Sequence, residues 1–141
     1  RSGARPVMLA TLDAPVAADA ARVAVDAAVE SGQPLLVVNV VARSFTPVVY
    51  AGWDTPSTPE VEESLRAPTD LAQALGVHVE RLRVRTPHPV DALLEVAAER
   101  GTGLLVFGPE RTTIRGRRYR QAARAIERRA ACLVWLSDDA G

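Results

Sequence analysis

Residues 34–42, PLLVVNVVA, run almost without polar interruption and are rich in β-branched side chains. A strand with one face in water alternates apolar and polar positions, whereas a strand covered on both faces does not. The same continuous pattern recurs, shorter, in PVMLATL (6–12), GLLVF (103–107) and CLVWLS (132–137). Only VHVERLRVR (77–85) alternates, as a strand with one wet face at a sheet edge would. Helical patterns separate these runs. Alternating strands and helices imply a single α/β domain over 1–141, with a doubly wound five-stranded parallel sheet and helices on both faces. Residues 1–5 and 138–141 read as flexible termini.

The helices can be placed by their apolar faces and punctuation. Val16, Ala20, Val23 and Ala27 make the stripe of the first, and Gly32 fits its left-handed stop. The second runs from Pro59 to Leu75, and Pro68 should kink or split it. The third opens at Pro89, carries Val90, Leu93, Leu94 and Ala97, and ends at Gly101. The fourth, about 117–130, places Tyr119, Ala122, Ala123, Ile126 and Ala130 on one face and Arg117, Arg120, Arg124 and Arg128 on another. Residues 43–58 hold two prolines, with Pro59 just after them, and Phe45, Tyr50 and Trp53, and read as an irregular connection that either covers a crevice or packs as a satellite cluster.

Several chemistries are excluded. All 17 basic residues are arginine, which rules out a catalytic or Schiff-base lysine. A single cysteine, Cys132, allows no internal disulfide. His78 and His88 have no ligand spacing to each other or to Cys132, so no metal is expected. No nucleophile elbow or Ser-His-Asp order appears, and the chain is read as no enzyme in its own right. No apolar run approaches the ~20 residues of a membrane span. The expectation is a cytoplasmic protein with no membrane association, although a sensor domain of a larger chain stays open.

Formal net charge is zero, which argues against nucleic acid as the default partner. The charge is unevenly spread, however. Residues 108–129 contain eight arginines and two glutamates, a local +6. This stretch follows a strand and a glycine, where many α/β proteins hold a phosphate. Three readings remain: a solvated helix face with arginine stems over alanine, an anion site built from guanidinium groups, or a surface for a partner. Asp13, at the end of the first strand, can reach a ligand in the crevice or cap the first helix, and the two roles are not exclusive.

Taken in order, these pieces resemble the universal stress protein family over nearly the whole chain. The matching segments are the strand ending in Asp13, LLVVNVV, GVHVERLRVRTPHPVDALLEVAAERGTGLLVFG and the tail AACLVWL. The resemblance implies a stress-response or regulatory domain with strand order 3-2-1-4-5. Family members that bind ATP carry the aspartate, here Asp13, which would hold ribose or a metal beside the phosphates. Val41 would meet the adenine. They also carry G-x2-G-x9-G followed by Ser or Thr after strand four. This chain keeps Gly108 but has Arg111 at the second glycine and, depending on one deletion, Arg120 or Gln121 at the third. Side chains there obstruct the approach of main-chain amides to phosphate. The usual ATP binding is therefore expected to be lost or weakened, with ATP or AMP held differently as the alternative. The resemblance further implies a homodimer through the last strand, with Leu133, Val134, Trp135 and Leu136 at the interface, and an unidentified protein partner.

Overall fold

The structure, a computed structural model, describes residues 4–42 and 59–137. Its five parallel strands are β1 (Val7–Thr11), β2 (Leu35–Ala42), β3 (Val79–Thr86), β4 (Leu104–Phe107) and β5 (Leu133–Leu136), in the order β3-β2-β1-β4-β5. Strand β1 is central, with Val7 opposite both Leu35 and Leu104, and every one of its residues is buried. The three interior strands all lack alternation, as does β5 at one edge. At one edge β3 turns Arg81 and Arg83 outward and leaves Leu82 and Val84 half-buried.

Helices α1 (Ala18–Ser31) and α2 (Pro59–Ala74) cover one face of the sheet. Helices α3 (Pro89–Glu99) and α4 (Gly116–Arg129) cover the other. The apolar stripe of α1 is rotated from the expected one: Ala20, Ala24, Val25 and Ala28 are buried, while Val23 and Ala27 are half-buried. The helix touches α2 as well as the sheet, so its covered face is wider than a single stripe. Small alanines let it lie close to the strands. Gly32 ends it at φ 69°, in the left-handed region, and donates its N–H to the Ala28 carbonyl.

Two expectations need correction. Asp13 does not cap α1, because the N-cap is Ala17, which offers no side-chain bond. The chain spends Pro15 to Ala17 on contacts with the loop after β4 before the helix begins. Nor does Pro68 divide α2, which runs unbroken from Pro59 to Ala74. Pro68 is buried beside Thr69 on the face that carries Val61, Leu65 and Ala72, and packing holds the helix together across the missing amide. The segment 43–58, with Phe45, Tyr50 and Trp53, lies outside the described residues.

Candidate functional site

Strand order reverses direction between β1 and β4, so the connections after these strands diverge and leave a crevice at their carboxyl ends. The connection after β1 turns sharply. Thr11 Oγ1 donates to the Ala14 carbonyl at 2.7 Å, and Asp13 sits at φ 53°, a conformation aspartate tolerates better than most residues. The Asp13 N–H donates to Asn39 Oδ1 at 2.8 Å. Asn39 is the polar interruption of β2 and is buried. It aims the exposed Asp13 carboxylate from beneath.

The two connections are sewn together. Gly108 donates its N–H to the Ala10 carbonyl at 3.0 Å, and its carbonyl accepts from Ala17 N–H at 2.9 Å. Glu110 N–H donates to the Pro15 carbonyl at 2.7 Å, and Val16 bridges to Pro109. From the other side, Ser64 of α2 accepts the Val16 N–H at 3.0 Å through its hydroxyl oxygen and donates to the Val61 carbonyl. Gly108 is needed for this closeness. A Cβ placed there would fall 2.1 Å from the Cβ of Ala20.

Above these bonds lies an open crevice of about 920 Å³, whose walls carry Asp13, Glu60, Glu63 and Glu110 with Ser64 and Thr113. The carboxylates come from three separate segments of chain. No arginine lines this crevice among the described residues. The acidic residues do not converge either: among the described residues no three His, Cys, Asp or Glu side chains are placed to share a metal ion.

Of the residues singled out in the sequence, Asp13 lines the crevice, and Gly108 lies in the bonded seam with Ala10 and Ala17. The others stand apart. Val41 is half-buried near the end of β2, paired in register with Arg85 of β3. Arg111 lays its guanidinium 3.8 Å above the Tyr119 ring. That ring stacks on Phe107, with centroids 5.6 Å apart, and its hydroxyl donates to the Ser137 carbonyl at 2.9 Å. Arg120 and Gln121 are exposed on α4 beyond its first turn. The helix begins instead at Gly116, capped by Arg115 without a side-chain bond. Leu133 is exposed on edge strand β5, while Val134, Trp135 and Leu136 are half-buried. Burial pushes the Cys132 thiol up, against nearby Arg5, which leaves it a poor nucleophile at neutral pH.

The profile of the universal stress protein family matches residues 3–137. The chain belongs to the universal stress protein family. No curated protein matches the sequence. Among solved structures, a universal stress protein in complex with cAMP is 26% identical with a TM-score of 0.63, over 96% of this chain and 98% of that one. A universal stress protein family member from Burkholderia pseudomallei is also 26% identical, TM-score 0.61, over 97% and 98% of the two chains. One from Archaeoglobus fulgidus in complex with dAMP is 21% identical, TM-score 0.64, over 94% and 96%, a likeness of fold. No helix among the described residues of this family member is long and apolar enough to cross a membrane.

Proposed function

We propose that this chain is a non-catalytic, cytoplasmic stress-regulatory domain whose crevice does not hold ATP in the manner of the family's glycine motif. One observation carries the reading: the seam that would cradle phosphate is already bonded. The Gly108 and Glu110 amides are spent on Ala10 and Pro15, and Pro109 has none to give. Around it stand Asp13, Glu60, Glu63 and Glu110. A phosphate charge about 4 Å from one such carboxylate meets a repulsion of roughly 4 kcal/mol at the effective dielectric of a partly exposed site.

A second reading has support from the relative solved with cAMP. A ligand with a single phosphate group carries less charge into this crevice than a triphosphate does, cAMP least of all. Isothermal titration with Mg-ATP, AMP and cAMP, repeated on Asp13→Asn, separates the two. Asparagine keeps the tolerance for positive φ that alanine lacks and removes only the charge. The primary reading expects no saturable heat with any of the three up to millimolar concentration. Micromolar affinity for AMP or cAMP, weakened in Asp13→Asn, would establish the second.

The reading includes a two-fold homodimer through β5, with Leu133, Val134, Trp135 and Leu136 at the interface. The support is an apolar strand at a sheet edge, with the Leu133 side chain left in water. Sedimentation at moderate salt should give a dimer for the native chain and a monomer for Leu133→Glu. A native monomer would remove the dimer from the reading.

A further inference from the structure

Charge is distributed between the two helical layers in opposite senses. Helices α1 and α2 together carry seven acidic residues and two arginines, and α4 carries six arginines and one glutamate. The first set is therefore at −5 and the second at +5. The sheet lies between them, so neither can neutralise the other within one molecule. The side chains of Arg115, Arg117, Arg118, Arg120, Arg124 and Arg128 make no hydrogen bond or ion pair among the described residues. Neighbouring α3 offers Asp91, Glu95 and Glu99, but among the described residues the one side-chain bond from them to α4 joins Asp91 to Arg129 at 2.7 Å.

The two surfaces also match in pattern. Arg117, Arg120, Arg124 and Arg128 form a stripe about 16 Å long at the helical rise of ~1.5 Å per residue. Asp19, Asp26 and Glu30 repeat along α1 at the spacing of Arg117, Arg124 and Arg128. The acidic layer carries apolar surface as well. Val29, Leu71 and Leu75, 40%, 52% and 54% exposed, lie on or just beyond α1 and α2. Arginine suits such a mixed surface, because its aliphatic stem covers apolar groups while its head meets carboxylates.

We propose that the arginine stripe of α4 docks on the acidic, apolar-flecked α1–α2 face of a second copy of this chain. The contact is heterologous: each copy offers two different faces, and nothing in one contact closes the assembly. It is separate from a dimer through β5, and it leaves both faces of a β5 dimer available. Nucleic acid is the poorer occupant of the stripe. The aromatic residue of α4, Tyr119, is buried under Arg111 and leaves no ring for base stacking.

The test is sedimentation of the full chain across a concentration series at about 10 mM and about 1 M salt, where the Debye length is roughly 30 and 3 Å. Weight-average mass at low salt should rise with concentration to at least about twice the high-salt value, as open-ended association requires. Two neutralised variants then locate the faces: Arg120→Gln/Arg124→Gln/Arg128→Gln, and Asp26→Asn/Glu30→Gln. Each alone should stay at the high-salt mass, and mixing them should restore association, since each keeps the face the other lacks. All these side chains except the partly buried stems are in water, and circular dichroism confirms matched folding. Mass that ignores salt and concentration, association retained by the α4 variant, or no recovery on mixing would overturn the proposal. So would nucleic acid that copurifies with the native chain and is lost from the α4 variant.

Discussion

Gly108 opens the connection between β4 and α4, and Gly116 closes it. The two do unlike things. Neither has positive φ, so neither is there for a left-handed backbone. At Gly108 a Cβ would meet the Ala20 Cβ at 2.1 Å and its Cα at 3.6 Å, atoms fixed in a buried helix. At Gly116 a Cβ would meet only the Arg120 guanidinium, Nη1 at 3.1 Å and Cζ at 3.9 Å, the far end of a flexible, exposed side chain. Packing is thus enough to require the first glycine of a phosphate-loop motif, with its amide bonded to Ala10. Such a residue can stay when the phosphate has gone, and the rest of the loop is then free to carry arginine.

The largest effect expected from this contrast is at the first glycine. Gly108→Ala should destabilise the fold by about 3 kcal/mol, the upper part of the usual range for overpacking, because the obstacle is a Cβ that cannot swing away. Urea unfolding would show the midpoint fall, and heating would lower Tm by roughly 10 °C. The double variant Gly108→Ala/Ala20→Gly should recover much of the loss, less the ~1 kcal/mol that glycine costs in a helix. A neutral Gly108→Ala would break the packing argument and return the glycine to a ligand-binding explanation.

Next in size is the support beneath Asp13. Asn39→Ala removes the acceptor of the Asp13 N–H and leaves a gap inside β2. A cost of about 2 kcal/mol is expected, within the range for an amide deprived of its partner. Faster hydrogen exchange should be confined to the turn at Asp13 if the bond is local. Uniform acceleration across β1 and β2 would show that Asn39 supports the sheet rather than the crevice. On the opposite face, Tyr119→Phe keeps the ring beneath Arg111 and removes the bond to Ser137. That should cost about 1 kcal/mol, the net worth of one hydrogen bond. An unchanged midpoint would mean water replaces the Tyr119 hydroxyl on the Ser137 carbonyl.

The sheet was legible because four of its strands announce themselves by lack of alternation and VHVERLRVR announced one edge, although β5 at the other edge carries the same continuous pattern as the interior strands. The order followed from the alternation of elements together with the family resemblance. The crevice was legible only in part. Asp13 could be placed at a strand end, but Glu60, Glu63 and Glu110 meet it only through the reversal of connections between β1 and β4. No local spacing records that meeting. Asn39 did leave a signal, a single amide within eight residues of otherwise apolar strand, which packing alone does not explain. The cap of α1 misled because Asp13 before Ala-Pro suits an N-cap locally, while the Gly108 and Pro109 contacts draw the chain further before it turns helical. Pro68 as a split in α2 misled for a related reason: local chemistry opposed the helix, and burial prevailed.

Gly116→Ala is the smallest and most discriminating change. Gly116 is the first residue of α4, where alanine has the better helix propensity by ~1 kcal/mol in a helix interior and by less at an end. Part of that gain comes from reducing the freedom of the unfolded chain. Against it stands only the displacement of the Arg120 side-chain tip, which is exposed and has other rotamers. The expected result is a stabilisation of about 0.5 kcal/mol, read as a small rise in the urea midpoint with no change in slope. Loss of stability instead would mean that Arg120 is held in place at the helix start, as an anion site assembled from guanidinium groups would require. Repeating the unfolding with added inorganic phosphate would then decide the matter, since a site of that kind should stabilise the native chain with phosphate and lose the effect in the variant.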